Sequence, residues 1–330
     1  MPLVFPIPPL STRGANLVAF FFASSYVVSL YLSKRSRLGR SSKQNDSNAN
    51  ASQNRTRDDP NVIKARMLAA SISTILSCAV VFLLVWHIVD DLDNVSGANP
   101  VTTNASLAFD STLARLGLTF FEDHSPLPYL VTPILYLGPL YATFLGSKLP
   151  FQSRWSWDYD VMPVFNTYVG FRNYFFGPIT EELVFRACVL SVYHLAGSSR
   201  NKMIFLSPLL FGLAHLHHAW EMYNNEGKTV AAAKQALLVT LFQLAYTTLF
   251  GYHCAFLFLR AGSVYPPLFS HMFCNFMGLP QITYELQALP HRRASIIFMY
   301  LLGIVGYIYA MRNWTLDTDS LYWQDHLKRY

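Results

Sequence analysis

The sequence predicts an all-α, polytopic integral membrane protein with about eight transmembrane helices. Hydrophobic residues make up 52% of the 330 positions and charged residues only 13%, a balance that is typical of membrane proteins and disfavours a soluble core. Six apolar runs are long enough for a spanning helix of about 17 to 25 residues: residues 16–32, 67–89, 127–145, 203–220, 232–259 and 295–311.

Three further stretches are apolar but less regular, and we expect them to form a buried interior. They are residues 161–176, 178–195 and 267–279, and the last would make a helix only about 20 Å long at 1.5 Å per residue. Together with the six longer runs they predict about eight spanning helices in a single membrane-embedded domain, residues 1–330.

Basic residues around the first run predict the orientation of the chain. One arginine precedes this run, whereas five basic residues follow it closely: Lys34, Arg35, Arg37, Arg40 and Lys43. Because cytosolic loops carry the excess of Lys and Arg, the N-terminus should be lumenal and the run a retained anchor rather than a cleaved signal peptide. The acidic loop 90–124 should then be lumenal. The polar loop 33–61 should be disordered and cytosolic, and its basic charge favours contact with anionic lipid over nucleic acid.

Two other sequence patterns carry little functional information. Glycosylation triplets lie on both predicted sides of the membrane and so do not discriminate between them: Asn94 and Asn104 in the lumenal loop, Asn45, Asn50 and Asn54 in the cytosolic loop. The four cysteines lie in apolar segments without C-x-x-C spacing, and we expect buried free thiols: Cys78, Cys188, Cys254 and Cys274.

The segment Gly177-Pro-Ile-Thr-Glu-Glu-Leu-Val-Phe-Arg186 places three charges among apolar runs. An ionisable group at bilayer depth costs about 2.5 to 3.5 kcal/mol on insertion scales, so such groups are functional candidates. A loop or an interfacial helix, where charge costs little, is the alternative. Pro after Gly177 is typical of the first helical position, which predicts a helix from Gly177 to Gly197.

The two acids of this helix are predicted to have different roles. Glu182 and Arg186 are four residues apart, on one face and in the favourable order for an ion pair. Glu181 lies about 140° around the helix from Arg186, at about 100° per residue, and cannot easily share that partner. We therefore expect Glu182 to be structural and Glu181 to be a general base. A scaffolding role for Glu181 is the alternative.

Polar side chains in two later apolar helices complete a hydrolytic set. His215 follows Phe211 by one turn, and the same spacing puts His271 and Asn275 on one helix face. A lone histidine is most often a packing residue, but this set suffices for water-driven amide hydrolysis. Glu181 would take a proton from water with His215, and His271 with Asn275 would bind the oxyanion. Three residues nearby are expected at the membrane interface: His217, His218 and Glu221.

In this order the motifs resemble those of the type II CAAX prenyl endopeptidases, within the CAAX protease and bacteriocin-processing family. The three boxes of this pattern read Glu181-Glu182-Leu-Val-Phe-Arg186, Phe211-x-x-x-His215 and His271-x-x-x-Asn275. The resemblance covers residues 177–279, and one box alone would be weak evidence. Three ordered boxes on apolar helices are specific.

The resemblance implies an eight-helix enzyme of the endoplasmic reticulum membrane that encloses an intramembrane catalytic cavity. Such an enzyme removes the last three residues from farnesylated or geranylgeranylated CAAX proteins, such as small GTPases. By this likeness Glu181 and His215 activate water, His271 and Asn275 stabilise the intermediate, and Glu182 and Arg186 are structural or position the substrate. The site would open to the cytosol and admit the lipid chain from the membrane. No cofactor is expected.

Two alternatives to this mechanism stay open. Zinc accepts the ligand set His215, His271 and Glu181, although the sequence has no H-E-x-x-H motif. A non-catalytic scaffold, or a transporter that uses Glu181 and His215 as a proton relay, is the other alternative. Transporters often show duplicated halves, and the sequence shows no convincing internal repeat.

Overall fold

The computed structural model describes residues 5, 7–32, 56–96, 102–119, 125–214 and 217–323. Every regular element in these ranges is a helix, which confirms the all-α prediction. Most of the loop predicted to be disordered, residues 33–55, lies outside the described residues, as do the asparagine side chains of all five glycosylation triplets.

Long apolar helices identify the chain as a polytopic membrane protein. Four described helices are long and apolar enough to cross a membrane: Thr12–Leu32, Pro60–Asp91, Val230–Ala261 and Pro290–Asn313. The helices Leu127–Leu135 and Leu137–Leu145 meet the same criterion together and are bent by 66°. Pro139 contributes to this bend because it has no N–H to donate to the carbonyl of Leu135. Four of the six predicted spans are thus matched by single helices, the fifth, 127–145, is this bent pair, and the total of about eight stays a prediction.

The sixth predicted span, residues 203–220, is interrupted. One helix ends at Phe205 and the next begins at Ser207, because Pro208 cannot donate to the carbonyl of Ile204. The prediction of one unbroken helix is therefore wrong at Leu206. The remaining described helices are Thr102–Arg115, Gly177–Glu182, Leu183–Cys188, Val189–Leu195, Arg200–Phe205, Ser207–Ala214, His217–Asn225, Tyr265–Met277, Ile282–Ala288 and Pro290–Arg292, with four short ones between residues 157 and 176.

Contacts divide the chain into two compact units. The first comprises Met1–Leu118 and Thr180–Phe256, and the second comprises Thr119–Ile179 and Leu257–Tyr330. The prediction of a single protease domain stays a prediction.

The centre of the first unit is the helical segment 180–195, which belongs to the stretch 178–195 that the sequence predicted to be interior. Ten consecutive residues of this segment, 184–193, are buried, and the helices Thr12–Leu32 and Pro60–Ser96 pack on it. The ring of Tyr26 meets Phe185 edge to face at 5.8 Å, and the Sγ atoms of Cys78 and Cys188 are 3.7 Å apart. This packing holds the charged motif in a fixed position within the first unit.

All four cysteines have free thiols, as predicted. Cys188 and Cys254 are buried, whereas Cys78 and Cys274 are half-buried. The prediction of full burial therefore holds for two of the four.

In the second unit the bent helix pair packs on Arg293–Asn313 and on Tyr265–Met277. Gly138 lies against the ring of Tyr300, in a space that a Cβ atom would overlap. The hydroxyl of Thr132 donates to Ser270 Oγ at 2.7 Å, and both residues are buried. Ser270 is the residue before His271, so this bond fixes the helix at the predicted site residue.

The stretch 161–176 corrects the prediction of a buried interior. It forms four short helices together with the residues just before it, and only two of its residues, Val164 and Gly170, are buried, whereas Phe165 is 57% exposed. Thr167 has an extended backbone conformation and ends one helix, so the apolar residues do not form one continuous buried face. In contrast, 178–195 is largely buried as predicted, and 267–279 is buried at its start and exposed at its end.

Candidate active site

The helix that carries the two acids contains a π-helical segment. It begins at Gly177 as predicted, is π-helical over Leu183–Cys188, and continues over Val189–Leu195. Gly197 follows with a φ of +63°, a conformation that glycine adopts readily and that commonly ends helices. Single π-turns inside α-helices are frequent at functional sites. The turn after Glu182 is therefore wider than the regular α-helix that the sequence predicted.

Glu182 and Arg186 form the predicted ion pair. Arg186 Nε lies 3.1 Å from Glu182 Oε2, and the side chains are 2% and 0% exposed. The Arg186 guanidinium also lies 4.3 Å from the centre of the Phe211 ring, a cation–π contact. Its two terminal nitrogens have no hydrogen-bond acceptor within the part of the chain that the structure describes. Arg186 thus connects Glu182 to the helix Ser207–Ala214.

Glu181 occupies different surroundings from Glu182. It is half-buried rather than fully buried, and it does not form the ion pair with Arg186. Its carboxylate is within electrostatic range of the Tyr26 and Tyr246 hydroxyls. Tyr26 also shares a 2.9 Å hydrogen bond with the adjacent Thr180. The two neighbouring acids therefore differ in burial and partners, as the helix geometry predicted.

His215 lies outside the described residues, as do the side chains of His217 and His218. The chain is described up to Ala214, at the end of one helix, and again from His217, at the start of the next. No group of three His, Cys, Asp or Glu side chains that could hold a metal ion occurs among the described residues. The zinc alternative includes His215 and so stays open.

Glu221 has two hydrogen-bond donors, on two other helices, that the sequence did not indicate. Its Oε1 accepts a hydrogen bond from the Tyr31 hydroxyl at 2.7 Å and from Arg66 Nη2 at 3.1 Å. The Glu221 side chain is only 14% exposed. The predicted position at the membrane interface is not tested, but the carboxylate belongs to a packed junction of three helices.

His271 and Asn275 lie one turn apart on the helix Tyr265–Met277, as predicted. His271 is 6% exposed, whereas Asn275 is exposed. Asn275 Nδ2 donates to the main-chain carbonyl of Asn173 at 2.8 Å. A side-chain amide carries two N–H groups, so this bond orients the amide and leaves the second N–H to donate elsewhere. This arrangement suits an oxyanion donor.

Sequence reasoning missed Asn173 as the partner of Asn275. A main-chain carbonyl has no signature in the sequence because every residue carries one. The π-helical turn Arg172–Phe176 that presents this carbonyl has no sequence pattern that we recognise. The Tyr174 ring nevertheless meets Phe276 edge to face at 6.0 Å, which supports the same contact between the two segments.

Replacing Asn275 by Leu should lower kcat for amide hydrolysis by about 10²-fold, a typical loss for one oxyanion donor. Leucine has a similar size but donates no hydrogen bond. Initial rates of peptide cleavage at saturating substrate would measure this effect. Asn313→Leu is the matched control, because Asn313 also donates from its amide to a main-chain carbonyl and is exposed. Wild-type kcat in the Asn275 variant would contradict an oxyanion role.

The predicted site residues belong to two units. Glu181, Glu182 and Arg186 lie in the first unit, and His271 and Asn275 lie in the second. The structure therefore confirms the ion pair and the one-turn spacing of His271 and Asn275. Their convergence in one intramembrane cavity stays a prediction.

Comparison with known proteins bears directly on these motifs. Residues 163–277 match the family model described as type II CAAX prenyl endopeptidase Rce1-like. The chain is 32% identical to the probable CAAX prenyl protease 2 of Schizosaccharomyces pombe, over 94% of this chain and 95% of the relative. It is 33% identical to CAAX prenyl protease 2 of Homo sapiens, over 75% and 70%. No solved structure matches the chain.

The family match contains all three boxes, and the yeast relative aligns over nearly the full length of both chains. The helical fold and the Glu182–Arg186 pair agree with the resemblance seen in the sequence. The chain therefore belongs to the type II CAAX prenyl endopeptidase family and is a membrane-embedded peptide hydrolase.

Proposed function

We propose that this chain removes the C-terminal tripeptide from farnesylated or geranylgeranylated CAAX proteins, such as small GTPases, by direct attack of water. The observation that carries this proposal is the different environment of the two adjacent acids. Glu182 is fully buried against Arg186, whereas Glu181 is half-buried near two tyrosine hydroxyls. One acid can hold the helix in place while the other exchanges protons.

In the proposed reaction Glu181 and His215 take a proton from water as its oxygen attacks the carbonyl carbon of the prenylated cysteine. His271 and Asn275 donate hydrogen bonds to the oxyanion that forms. The proton then passes to the leaving nitrogen, the C–N bond breaks, and the tripeptide departs. No covalent intermediate with the enzyme is needed. Glu182 and Arg186 hold the helix and position the substrate.

The protein is proposed to work in the endoplasmic reticulum membrane with its site open to the cytosol. Prenylated substrates reach the membrane from the cytosolic side, and their lipid chains would enter from the bilayer. The basic residues after the first helix favour a cytosolic loop there. Exposed apolar side chains on the long helices fit contact with lipid.

The proposed mechanism uses no metal. The bond from Asn275 Nδ2 to the Asn173 carbonyl presents an N–H group at this position, and N–H groups donate to an oxyanion but do not ligate zinc. Cleavage of a farnesylated CAAX peptide by purified enzyme should therefore be the same before and after treatment with a zinc chelator. Zinc analysis of the same sample should give far less than one ion per chain.

Loss of activity on chelation, with recovery on adding zinc, would contradict this mechanism in favour of the zinc alternative. Absence of cleavage by folded enzyme, without and with zinc, would favour a scaffold or transporter. Farnesylated and geranylgeranylated peptides measured side by side would also show which prenyl chain is preferred.

A further inference from the structure

Tyr26 contacts the helix that carries the proposed base on both sides of that base. Its hydroxyl shares a 2.9 Å hydrogen bond with Thr180 Oγ1, and Thr180 is the residue before Glu181. Its ring meets Phe185 edge to face at 5.8 Å, and Phe185 follows Glu181 by about one helical turn. Tyr26 belongs to the helix Thr12–Leu32. Both contacts therefore join this first helix to the segment that carries Glu181.

The hydrogen bond between the two hydroxyls lies in the interior of the first unit. Tyr26 is 8% exposed and Thr180 is 5% exposed. A buried polar group that loses its partner costs free energy, because bulk water does not readily take the place of that partner. The bond therefore constrains where the two side chains lie relative to each other.

The ring of Tyr26 is held independently of its hydroxyl. Its aromatic neighbour Phe185 is 3% exposed and also packs edge to face on Phe211, at 5.2 Å between ring centres. Phe22 and Ala23, on the same helix as Tyr26, are buried as well. Removing the hydroxyl alone should therefore leave the ring and its helix in place. Tyr26→Phe thus isolates the contribution of the hydrogen bond.

The position of Glu181 depends on this contact more than that of a fully buried residue would. Glu181 is half-buried, and its carboxylate is within electrostatic range of the Tyr26 hydroxyl. A general base must lie about 2.6 to 3.2 Å from the group whose proton it takes. A misplacement of about 1 Å can cost about 10²-fold in rate. A constraint at the preceding residue therefore acts directly on the efficiency of the base.

We propose that the hydroxyl of Tyr26 positions Glu181 for proton transfer through its hydrogen bond with Thr180. Tyr26 is a positioning residue in this proposal, and it neither gives nor takes a proton in the reaction. The inference rests on the proposed function, in which Glu181 takes a proton from water. Because that proton moves only in the transition state, loss of the hydroxyl lowers kcat and leaves KM nearly unchanged.

The test is steady-state cleavage of a farnesylated CAAX peptide by Tyr26→Phe, Thr180→Val and wild-type enzyme, at equal amounts of folded protein. Each variant removes one hydroxyl and keeps nearly the same side-chain shape. Each should lower kcat by about 10-fold, less than the limit for a 1 Å misplacement, with KM changed less than about twofold. The double variant should lose no more than the larger single loss, because both changes remove the same hydrogen bond.

A second cycle tests whether the hydroxyl acts through the base. In the Glu181→Gln background, Tyr26→Phe should lower the residual rate by less than about twofold, because the amide takes no proton wherever it lies. A further fall of about 10-fold in this background would show that the hydroxyl acts elsewhere. That result would overturn the positioning role, as would wild-type kcat in Thr180→Val.

Tyr31→Phe is the matched control. Tyr31 lies on the same helix as Tyr26, and its hydroxyl donates to Glu221 Oε1 at 2.7 Å rather than to a neighbour of Glu181. Its kcat should equal that of the wild type. An equal loss in the two tyrosine variants would mean that general loosening of this helix is the cause, and the inference would fail.

Wild-type kcat in Tyr26→Phe, or a loss that lies wholly in KM, would also contradict the inference. Glu181→Gln assayed alone separates the inference from the proposed function. If Glu181→Gln cleaves as well as the wild type, the proposed function fails. If it is inactive and Tyr26→Phe is fully active, only the positioning role fails.

Discussion

Membranes that contain the Glu181→Gln variant are expected to cleave a farnesylated CAAX peptide at least about 10³-fold more slowly than wild-type membranes. The amide has nearly the shape of the carboxylate but cannot accept the proton of water. General-base catalysis contributes typically about 10²- to 10⁴-fold. Because the amide keeps the size of the carboxylate and Glu182 supplies the ion pair to Arg186, this replacement should leave the helix 177–195 intact. The loss should therefore appear in kcat at equal amounts of enzyme.

Glu226→Gln provides the control for this substitution, since it makes the same chemical change at an exposed position. Its rate should equal that of the wild type. Release of the tripeptide would be followed by mass spectrometry over at least four decades of rate. A Glu181→Gln enzyme that retains more than about a tenth of the wild-type kcat would rule out Glu181 as the general base.

The second large effect is on folding, and it concerns the buried ion pair. Glu182→Leu leaves the Arg186 guanidinium, which is only 2% exposed, without its charge partner. Removing one partner of a buried pair typically costs about 3 to 5 kcal/mol, a large part of the about 5 to 15 kcal/mol that stabilises a folded protein. We expect little folded protein from this variant. The yield of monodisperse protein and the temperature of half-unfolding in detergent would measure it.

The double variant Glu182→Leu with Arg186→Met distinguishes this cause from poor packing. It removes both charges and keeps a similar side-chain volume, a replacement that is often neutral or stabilising for a buried pair. Its unfolding temperature should therefore lie well above that of Glu182→Leu. If the double variant is as unstable as the single one, the uncompensated charge is not the cause of the defect.

The Glu182–Arg186 pair could be predicted from helix geometry, because a four-residue spacing is a local property. The same is true of His271 and Asn275. The four long apolar helices followed from composition alone, since about 20 apolar residues suffice for a membrane helix. In each case the decisive interaction lies within one helix or between a helix and lipid.

Contacts between distant segments could not be predicted in this way. Arg66 and Glu221 are 155 residues apart in the sequence, and no local pattern indicates that they meet. The exposed Phe165 shows that apolar character does not predict burial in a membrane protein. An apolar residue there faces lipid as readily as it faces the interior. The breaks before Pro139 and Pro208 could have been found from these prolines, but the hydropathy of the surrounding runs indicated continuous helices.

Because of the π-helical segment Leu183–Cys188, the number of residues in this helix determines the direction in which its later side chains point. A π-turn holds one residue more than an α-turn, so residues 189–195 are offset by about 100° from where a regular α-helix starting at Glu181 would place them. Ser191 and His194 contact Arg115 in that offset position, through its carbonyl at 2.8 Å and its Nη1 at 3.1 Å. Deleting Ala187 or Cys188 would turn both side chains away from Arg115, although every box would keep its residues. The number of residues between the acids and the end of the helix is therefore as much a part of the site as their identity.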